Sequence, residues 1–234
     1  MDVVILSGGY GKRLREKIKD IPKTMALVNG KPLLEHTFEY IEQFDVKNII
    51  LAVGYKKEYI KKYFKNKFKD INIIYSEEEK PLGTGGAIKK ALQYSKEEDV
   101  VIMNGDIYAK VNLVELMKDH IASKRPVTIT LKEMENIDRF GVVEIDEQKA
   151  ITAFKEKAFC KKGYVNVGIY VIKKNIFKEL ELNEDFSIER DFFSKYTDKI
   201  KHNAYLYNGE FIDIGIPKDY AKIQEILKWK NIDN

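Results

Sequence analysis

Residues 3–14 read Val3-Val4-Ile5-Leu6-Ser7-Gly8-Gly9-Tyr10-Gly11-Lys12-Arg13-Leu14, a short apolar run that leads directly into a glycine cluster. A run that is apolar at every position is typical of a strand covered on both faces, as in a parallel sheet. The glycines that follow lack a Cβ, so their backbone can turn sharply and approach a ligand closely. The stretch therefore predicts a buried strand that ends in a loop suited to ligand contact.

From this strand to about residue 125, strand-like runs alternate with helical patterns. Strands separated by helices imply right-handed crossovers and a mainly parallel sheet with both faces covered. The predicted fold class is therefore α/β, with a Rossmann-like, mixed but mainly parallel sheet flanked by helices. The further strands are predicted over 48–53, 71–75 and 100–103, and the helices near 32–44, 58–64, 87–94 and 113–121.

The pattern changes after residue 125, where strand-like runs follow one another with fewer helices between them. We interpret this half as antiparallel strands that extend the sheet and close over a ligand. No linker rich in Pro, Gly or Ser separates the halves, so we expect one domain over 1–234 with two functional lobes, about 1–125 and 126–234. The strand-like runs are 127–131, 141–145, 151–154, 164–172 and 204–207.

The composition limits the class of protein and its partners. The 41 basic and 37 acidic side chains give a net charge of +4, which suits phosphorylated small molecules but does not by itself argue for nucleic acid. Cys160 is the lone cysteine and cannot form an internal disulfide, which fits a reducing compartment. No run approaches the roughly 20 apolar residues of a membrane span, and the N-terminus lacks a signal-peptide pattern. We expect a cytoplasmic protein with no membrane association.

The segment 56–69 holds seven lysines interleaved with aromatic residues, a pattern also found in proteins that bind single-stranded nucleic acid. The favoured interpretation is an amphipathic surface helix whose aromatic residues face the core and whose lysines are solvated. We therefore expect no nucleic-acid partner.

The glycine loop is the first candidate for chemistry. Backbone N–H groups near Gly8, Gly9 and Gly11 could approach phosphates and a base, and Lys12 and Arg13 supply positive charge. The loop lacks the Gly-Lys-Ser/Thr ending of a P-loop, and Leu14 stands where a dinucleotide fingerprint has its third glycine. Taken alone, the loop could also be only a tight turn.

A second candidate is Lys23, which follows Pro22. A lysine stiffened by a preceding proline can be directed at a phosphate as a point charge. Without other signals, the same residue would be a solvated loop lysine.

The combined pattern Gly-Gly-x-Gly-x-Arg-Leu followed by Pro-Lys resembles the sugar-1-phosphate nucleotidyltransferases, also called sugar-nucleotide pyrophosphorylases. Five further stretches match the family, in the same order along the chain as in its members. Each stretch alone could be a turn or a pair of surface charges, but chance does not explain why all of them occur in this order. These matches are Glu79-Lys80-Pro81-Leu82-Gly83-Thr84-Gly85-Gly86-Ala87, Asn104-Gly105-Asp106, Glu156-Lys157, Asn166-Val167-Gly168-Ile169-Tyr170 and Phe211-Ile212-Asp213-Ile214-Gly215-Ile216-Pro217.

The resemblance implies a glycosyltransferase-A-like fold with an antiparallel sugar-binding extension, a nucleotide-binding first lobe and a sugar-phosphate-binding second lobe. It implies that Asp106 and Asp213 ligate Mg²⁺ and that Arg13, Lys23 and Asp106 are catalytic. The implied nucleotide-binding residues are Leu6, Gly8, Gly9, Gly11, Lys12, Arg13, Glu79, Gly83, Thr84 and Gly85. The implied sugar-phosphate-binding residues are Asn104, Gly141, Glu156, Lys157 and Asn166.

The implied reaction transfers a nucleoside monophosphate from a nucleoside triphosphate to a sugar 1-phosphate and releases pyrophosphate. The sugar phosphate is already an anionic nucleophile, so positioning and charge neutralisation are expected to provide most of the catalysis. Within the family, residues 19–23, 29–32, 82–87, 138–141 and 211–217 resemble the bacterial enzymes that join GTP to D-glycero-α-D-manno-heptose 1-phosphate. Ser7, Thr24 and Ile107 depart from common family residues, and Thr24 puts the rigidity of the Lys23 loop in doubt.

Several alternatives remain at the level of sequence. Another base or a mannose or glucose 1-phosphate could be the substrate. A retaining glycosyltransferase is disfavoured because Asn104 replaces the first aspartate of an Asp-x-Asp motif. A non-catalytic nucleotide-sugar sensor is disfavoured because the charged set is intact. The histidines His36, His120 and His202 are scattered and are interpreted as structural, and a homodimer is one alternative for the oligomeric state.

Overall fold

The computed structural model describes residues 1–9 and 21–230. Its strands are β1 (Asp2–Leu6), β2 (Leu27–Val28), β3 (Lys31–Pro32), β4 (Asn48–Val53), β5 (Lys67–Phe68), β6 (Ile71–Glu77), β7 (Asp99–Asn104), β8 (Ile107–Ala109), β9 (Val127–Ile137), β10 (Val142–Ile145), β11 (Ile151–Lys155), β12 (Cys160–Lys173), β13 (His202–Leu206) and β14 (Phe211–Asp213). Its α-helices are α1 (Leu33–Ile41), α2 (Lys57–Phe64), α3 (Gly83–Ala91), α4 (Leu113–Ser123) and α5 (Pro217–Lys230). Short 3₁₀ helices span Lys23–Met25 and Leu92–Tyr94, and a π-helix spans Ile188–Ser194.

The first half of the chain forms the parallel part of the central sheet. β1 lies between β7 and β4 and runs parallel to both, and β4 is in turn parallel to β6. The apolar runs of these strands need cover on both faces, which α-helices supply after β1, β4 and β6. Because parallel strands end on the same side of a sheet, the residues that follow β1, β4, β6 and β7 lie along one edge.

The second half extends the sheet through antiparallel pairs. β12 is the long strand that joins the halves: it pairs antiparallel with β7 of the first half and with β9 and β10 of the second. β11 adds antiparallel to β10, while β13 adds parallel to β9. The predicted fold class, a mixed and mainly parallel sheet flanked by helices and extended by antiparallel strands, is confirmed.

The apolar core lies on both faces of the sheet. Alternating residues of β1 divide between the two faces, with Val3 and Ile5 in one cluster and Val4 in the other. All three side chains are fully inaccessible to water. The core thus holds β1 in the middle of the sheet.

A third apolar cluster holds α5 against the β2–β3 hairpin. Ile223 and Leu227 of α5 pack with Val28 and Leu33, and the turn of the hairpin is Asn29-Gly30, both with positive φ. The Asn-Gly sequence suits this two-residue turn, because both central residues of such a turn need positive φ. Neither α5 nor β8 is among the elements predicted from the sequence.

The lysine-rich segment forms α2 and the turn after it. Phe64 is buried and Phe68 packs beside it, but Tyr59 and Tyr63 are about half exposed, so only part of the predicted aromatic face is in the core. Two of the lysines bind Glu77 rather than water alone: Lys57 Nζ and Lys61 Nζ lie 2.9 and 2.8 Å from its carboxylate oxygens. Within the described ranges, no helix has the length and apolar character that crossing a membrane requires.

Candidate active site

A cavity of about 710 Å³ opens at the edge where β1 and β7 end. Its wall combines residues from both halves of the chain, because β12 and β14 bring the second half against the same edge. Of the residues predicted to bind substrates or metal, those that line the cavity are Leu6, Gly8, Gly9, Lys23, Thr84, Asn104, Asp106, Gly141, Glu156, Lys157, Asn166 and Asp213.

Lys23 bridges the two predicted metal-binding aspartates. Its Nζ atom lies 2.5 Å from Asp106 Oδ2 and 3.6 Å from Asp213 Oδ1. The lysine side chain is only 12% exposed, so the ammonium is held in the wall of the cavity. One cation therefore already lies within reach of both carboxylates, which come from positions 107 residues apart in sequence.

The pairing of two short strands, β8 and β14, explains why these aspartates meet. β14 pairs antiparallel with β8, which places Asp213 opposite Ile107, the residue after Asp106. The N–H of Ile214 also donates to the carbonyl of Asp106, 3.1 Å away. The N–H of Gly215 donates to Asp213 Oδ1 over 2.7 Å and fixes the direction of that carboxylate.

Gly105 is required by the close approach of β1 and β7 at this edge. A Cβ on Gly105 would lie 2.6 Å from the carbonyl oxygen of Leu6 and 2.9 Å from Thr24 Cγ2. Any side chain here would push Asp106 away from the end of β1. The Asn-Gly-Asp sequence thus sets the distance between the glycine loop and the aspartate.

The predicted sugar-phosphate residues lie across the cavity. Glu156 and Lys157 follow β11, and Asn166 lies in β12, where its Oδ1 accepts from the N–H of Gly168 over 2.8 Å. Asn104, at the end of β7, has a buried Oδ1 without a hydrogen-bond partner in the structure. An unpaired acceptor in a cavity wall is costly unless a ligand or water donates to it.

The glycines at the start of α3 pack against Phe186 instead of facing open space. A Cβ on Gly85 would lie 2.1 Å from the Phe186 ring, and one on Gly83 would lie 2.5 Å from the Phe186 carbonyl oxygen. The N–H of Gly85 donates to that carbonyl over 2.8 Å. Of the three predicted residues here, Thr84 lines the cavity, whereas Gly83 and Gly85 position the neighbouring segment.

Glu78, rather than the predicted Glu79, faces the glycine loop. A Cβ added to Gly8 would lie 2.6 Å from Glu78 Oε1. The other carboxylate oxygen, Glu78 Oε2, accepts a hydrogen bond from the N–H of Leu82 over 3.1 Å. Partial burial raises the pKa of Glu78, while the Leu82 N–H acts in the opposite direction. Glu79 is exposed on the outer side of the loop, away from the cavity.

The remaining predicted residues of the glycine loop, Gly11, Lys12 and Arg13, lie outside the described residues. The three histidines lie outside the cavity wall. His36 bonds to the Val28 carbonyl, His120 to Thr128 and Asp99, and His202 to the Phe193 carbonyl, which fits structural roles.

The donor set suits Mg²⁺ only if a substrate completes it. Among residues 1–9 and 21–230, no three His, Cys, Asp or Glu side chains are grouped so that they could hold a metal. Asp106 and Asp213 supply two hard oxygen donors, and Mg²⁺ usually takes one or two carboxylates together with phosphate oxygens and water. The site therefore fits a cation that arrives with a phosphorylated ligand.

The cavity thus combines glycines that follow β1 with Lys23, with Asp106 after β7 and with Asp213 at the end of β14. A sequence model of the nucleotidyl transferase family matches residues 2–229. The chain belongs to the nucleotidyl transferase family.

Two curated relatives of this nucleotidyl transferase match over almost their full length. Both are named D-glycero-α-D-manno-heptose 1-phosphate guanylyltransferase. The protein of Campylobacter jejuni is 46% identical over 220 residues, covering 94% of this chain and 97% of the relative. That of Aneurinibacillus thermoaerophilus is 43% identical over 228 residues, covering 97% and 99%.

Solved structures agree with this relationship. A crystal structure of HddC from Yersinia pseudotuberculosis is 34% identical, has a TM-score of 0.87, and matches over 97% of this chain and 99% of its own. A second structure of HddC, complexed with GMP-PN, has a TM-score of 0.85. The nucleotidyl transferase thus shares its fold with a protein solved with a guanine nucleotide analogue.

The cavity-lining residues that the sequence prediction missed include two charged residues of the π-helix. Glu189 and Arg190 of the π-helix line the cavity beside Glu156, Lys157 and Asn166. In the sequence they belong to the charged run Glu189-Arg190-Asp191, which looks like a solvated surface. Only their position after Phe186, which is bound to the start of α3, brings them to the site.

Proposed function

We propose that this nucleotidyl transferase transfers GMP from GTP to D-glycero-α-D-manno-heptose 1-phosphate, giving GDP-heptose and pyrophosphate. The observation that carries the proposal is the convergence of Lys23, Asp106 and Asp213 at the glycine-loop edge of a cavity whose other wall holds Glu156 and Lys157. Such a cavity offers positive charge at two places, as required to bring two anionic substrates together. The names of the two curated relatives support the choice of sugar and base.

The reaction needs no covalent bond to the enzyme. An oxygen of the sugar 1-phosphate attacks the α-phosphorus, a new P–O bond forms, and the bond from the α-phosphorus to the β-phosphate oxygen breaks. Lys157 holds the incoming sugar phosphate, and Lys23 neutralises charge on the α-phosphate. Both lysines act by position and electrostatics, because the attacking oxygen carries no proton that must be removed.

We assign Asp106 and Asp213 as the protein ligands of Mg²⁺. When bound, the cation neutralises phosphate charge and orients the triphosphate. With Asp106 and Asp213 holding the cation, the Lys23 ammonium would be available to the α-phosphate. Its ion pairs with the two aspartates would then be replaced by contacts with the substrate.

Glu78 supports guanine as the base. Guanine presents two neighbouring donors, N1–H and N2–H₂, on the edge that a carboxylate can accept from simultaneously. Glu78 lies between Gly8 and the N–H of Leu82, at the junction of the two loops assigned to the nucleotide. Uracil, thymine and cytosine cannot provide both donors, so a carboxylate at this position favours GTP.

The test is a pyrophosphate-release assay that crosses five nucleotides with three sugars. GTP, CTP, UTP, dTTP and ATP are each combined with the heptose, mannose and glucose 1-phosphates in the presence of Mg²⁺. We expect the highest kcat/KM for GTP with the heptose 1-phosphate. A higher value for another pair would reassign the substrates, and no release with any pair would refute the transferase activity.

A further inference from the structure

Glu189 presents a carboxylate to the cavity that the proposed mechanism does not use. Glu189 is exposed to water and lines the cavity. Desolvation by neighbouring protein atoms raises the pKa of Glu189, the charge of Lys157 opposes the rise, and the charges of Asp106 and Asp213 add to it. Glu189 therefore lies near the phosphate-binding lysine and near the two aspartates.

Local hydrogen bonds fix the direction of this carboxylate. The fully buried Tyr170 accepts from Asn166 Nδ2 over 2.9 Å, and its hydroxyl acts to lower the pKa of Glu189. Asn166 Nδ2 also donates to Glu189 Oε1 over 3.5 Å. A carboxylate with a protein donor on one side keeps its remaining acceptor capacity for the cavity.

The surrounding backbone makes this arrangement rigid. Glu189 lies in a π-helical turn, an irregularity frequent at functional sites. The turn is bound to the nucleotide side of the protein, since the N–H of Ile188 donates to Thr84 Oγ1 over 2.9 Å. Phe186, at the start of the same segment, packs on Gly85.

We propose that Glu189 binds a hydroxyl group of the sugar and selects among sugar 1-phosphates. A carboxylate accepts hydrogen bonds from hydroxyl groups, and Glu189 lines the cavity beside Glu156, Lys157 and Asn166, so the partner that we assign to it is the sugar. It is not a third metal ligand, because no three acidic or histidine side chains in the described part of the chain form a metal-sized group. The proposal rests on the transferase activity and names a contact within it.

Glu189→Gln tests the contact without changing the size of the side chain. Because hydrogen bonds to charged groups are strong, the KM for the sugar 1-phosphate is expected to rise about 10- to 100-fold. The KM for GTP should stay within about twofold. The matched control is Glu184→Gln, since Glu184 belongs to the same segment but pairs with Lys80 on the protein surface and lines no part of the cavity.

Deoxy sugars separate binding from a purely structural role. Wild type and Glu189→Gln are compared on the heptose 1-phosphate and on its monodeoxy derivatives, one for each free hydroxyl group. For the derivative that lacks the bound hydroxyl, the two proteins should have the same KM, whereas the other derivatives retain the difference. An equal loss with every derivative, reproduced by Tyr170→Phe, would assign Glu189 to support of Tyr170 and overturn the proposal.

The activity of wild type shows whether a failure concerns the proposed transferase function or only the assignment of Glu189. If wild type turns over no sugar 1-phosphate, the proposed function fails and Glu189 loses its assignment with it. If wild type is active and Glu189→Gln keeps its KM for the sugar, only the assignment of Glu189 fails.

Discussion

At the scale of single residues, the ion pair of Lys23 changes how the two aspartates should be regarded. Sequence reasoning treats Asp106 and Asp213 as carboxylates that repel each other until a metal arrives. In the structure, the Lys23 ammonium contacts both, at 2.5 and 3.6 Å. If Asp106 and Asp213 hold a divalent cation as we propose, Lys23 and that cation would compete for the same pair of carboxylates.

Lys23→Ala should separate the two roles of this lysine. Turnover is expected to fall about 10²–10³-fold, as when one preorganised charge stabiliser is removed. Binding of Mn²⁺ without nucleotide, measured by electron paramagnetic resonance, is expected to become tighter because the competing ammonium is gone. Lys31→Ala is the matched control, since Lys31 also pairs with a carboxylate, Glu39, but outside the cavity. Near-full turnover together with unchanged Mn²⁺ affinity would contradict both assignments.

Glu78→Gln should weaken the preference for guanine. An amide oxygen can accept from only one of the two guanine donors without placing its own NH₂ against the other. The kcat/KM for GTP is expected to fall by a factor that corresponds to a loss of about 1–3 kcal/mol in transition-state stabilisation, the usual value of a bidentate base contact. The kcat/KM for UTP should change little. Glu79→Gln, at the exposed neighbouring position, serves as the control and should leave both values unchanged. Equal losses for GTP and UTP would place Glu78 outside base recognition.

Some residues of the candidate site could be predicted from the sequence and others could not. Lys23, Asp106 and Asp213 stand in motifs, and Asp106 also lies just beyond a predicted strand, 100–103. Glu189 carries no such signal, because a charged residue within a charged run looks the same whether it faces a cavity or bulk water. The contact that decides its position, Phe186 on Gly85, joins residues 101 positions apart and has no local signature.

At the scale of elements, the π-helix and β13 share an aromatic layer that includes His202. The His202 ring lies 5.5 Å from the Phe193 ring and 5.7 Å from the Phe192 ring, measured between centroids. Its Nε2 bonds to the Phe193 carbonyl, and its Nδ1 has no partner in the structure. Burial in this layer lowers the pKa of His202 to about 4.

The lowered pKa predicts a loss of stability in mild acid. An unfolded histidine takes up its proton near pH 6.5, so protons favour the unfolded chain as the pH falls from about 6.5 to about 4. Between pH 7.5 and 4.5, wild type should lose about 2–3 kcal/mol more unfolding free energy than His202→Phe, which cannot titrate. Urea unfolding at both pH values measures the difference. At pH 7.5 and 8.5 the gap between the two proteins should be constant, and parallel behaviour down to pH 4.5 would contradict the prediction.

Strands and helices could be predicted from the sequence where a single pattern, such as a short apolar run, is strong. The buried strands β1, β4 and β7 are short apolar runs, and each was found within one or two residues. The C-terminal helix α5 is missing from the prediction although Ile223 and Leu227 have helical spacing. The pair β8–β14 has strands of three residues each, too short for a periodic pattern, and forms only because tertiary contacts bring its partners together.

At the scale of the whole molecule, ligand binding should stabilise the fold according to base identity. With Mg²⁺ present and GTP at about 100 times its Kd, the unfolding free energy should rise by roughly 2.7 kcal/mol. At equal concentrations, CTP, UTP and dTTP should raise the thermal midpoint less than GTP. Inorganic triphosphate is the control for charge without a base. Equal shifts for all nucleotides would show binding through phosphates alone, and a larger shift for another base would reassign the nucleotide.

The sharing of β12 between the two halves has a consequence for protein engineering. Cutting the chain near residue 125 would leave β7 in one fragment and its neighbour β12 in the other. Each fragment would then expose an apolar strand edge, a surface prone to self-association. Coexpressed, the fragments can satisfy these edges in each other, which makes the position a candidate for a split enzyme whose reassembly reports on the proximity of two fused proteins.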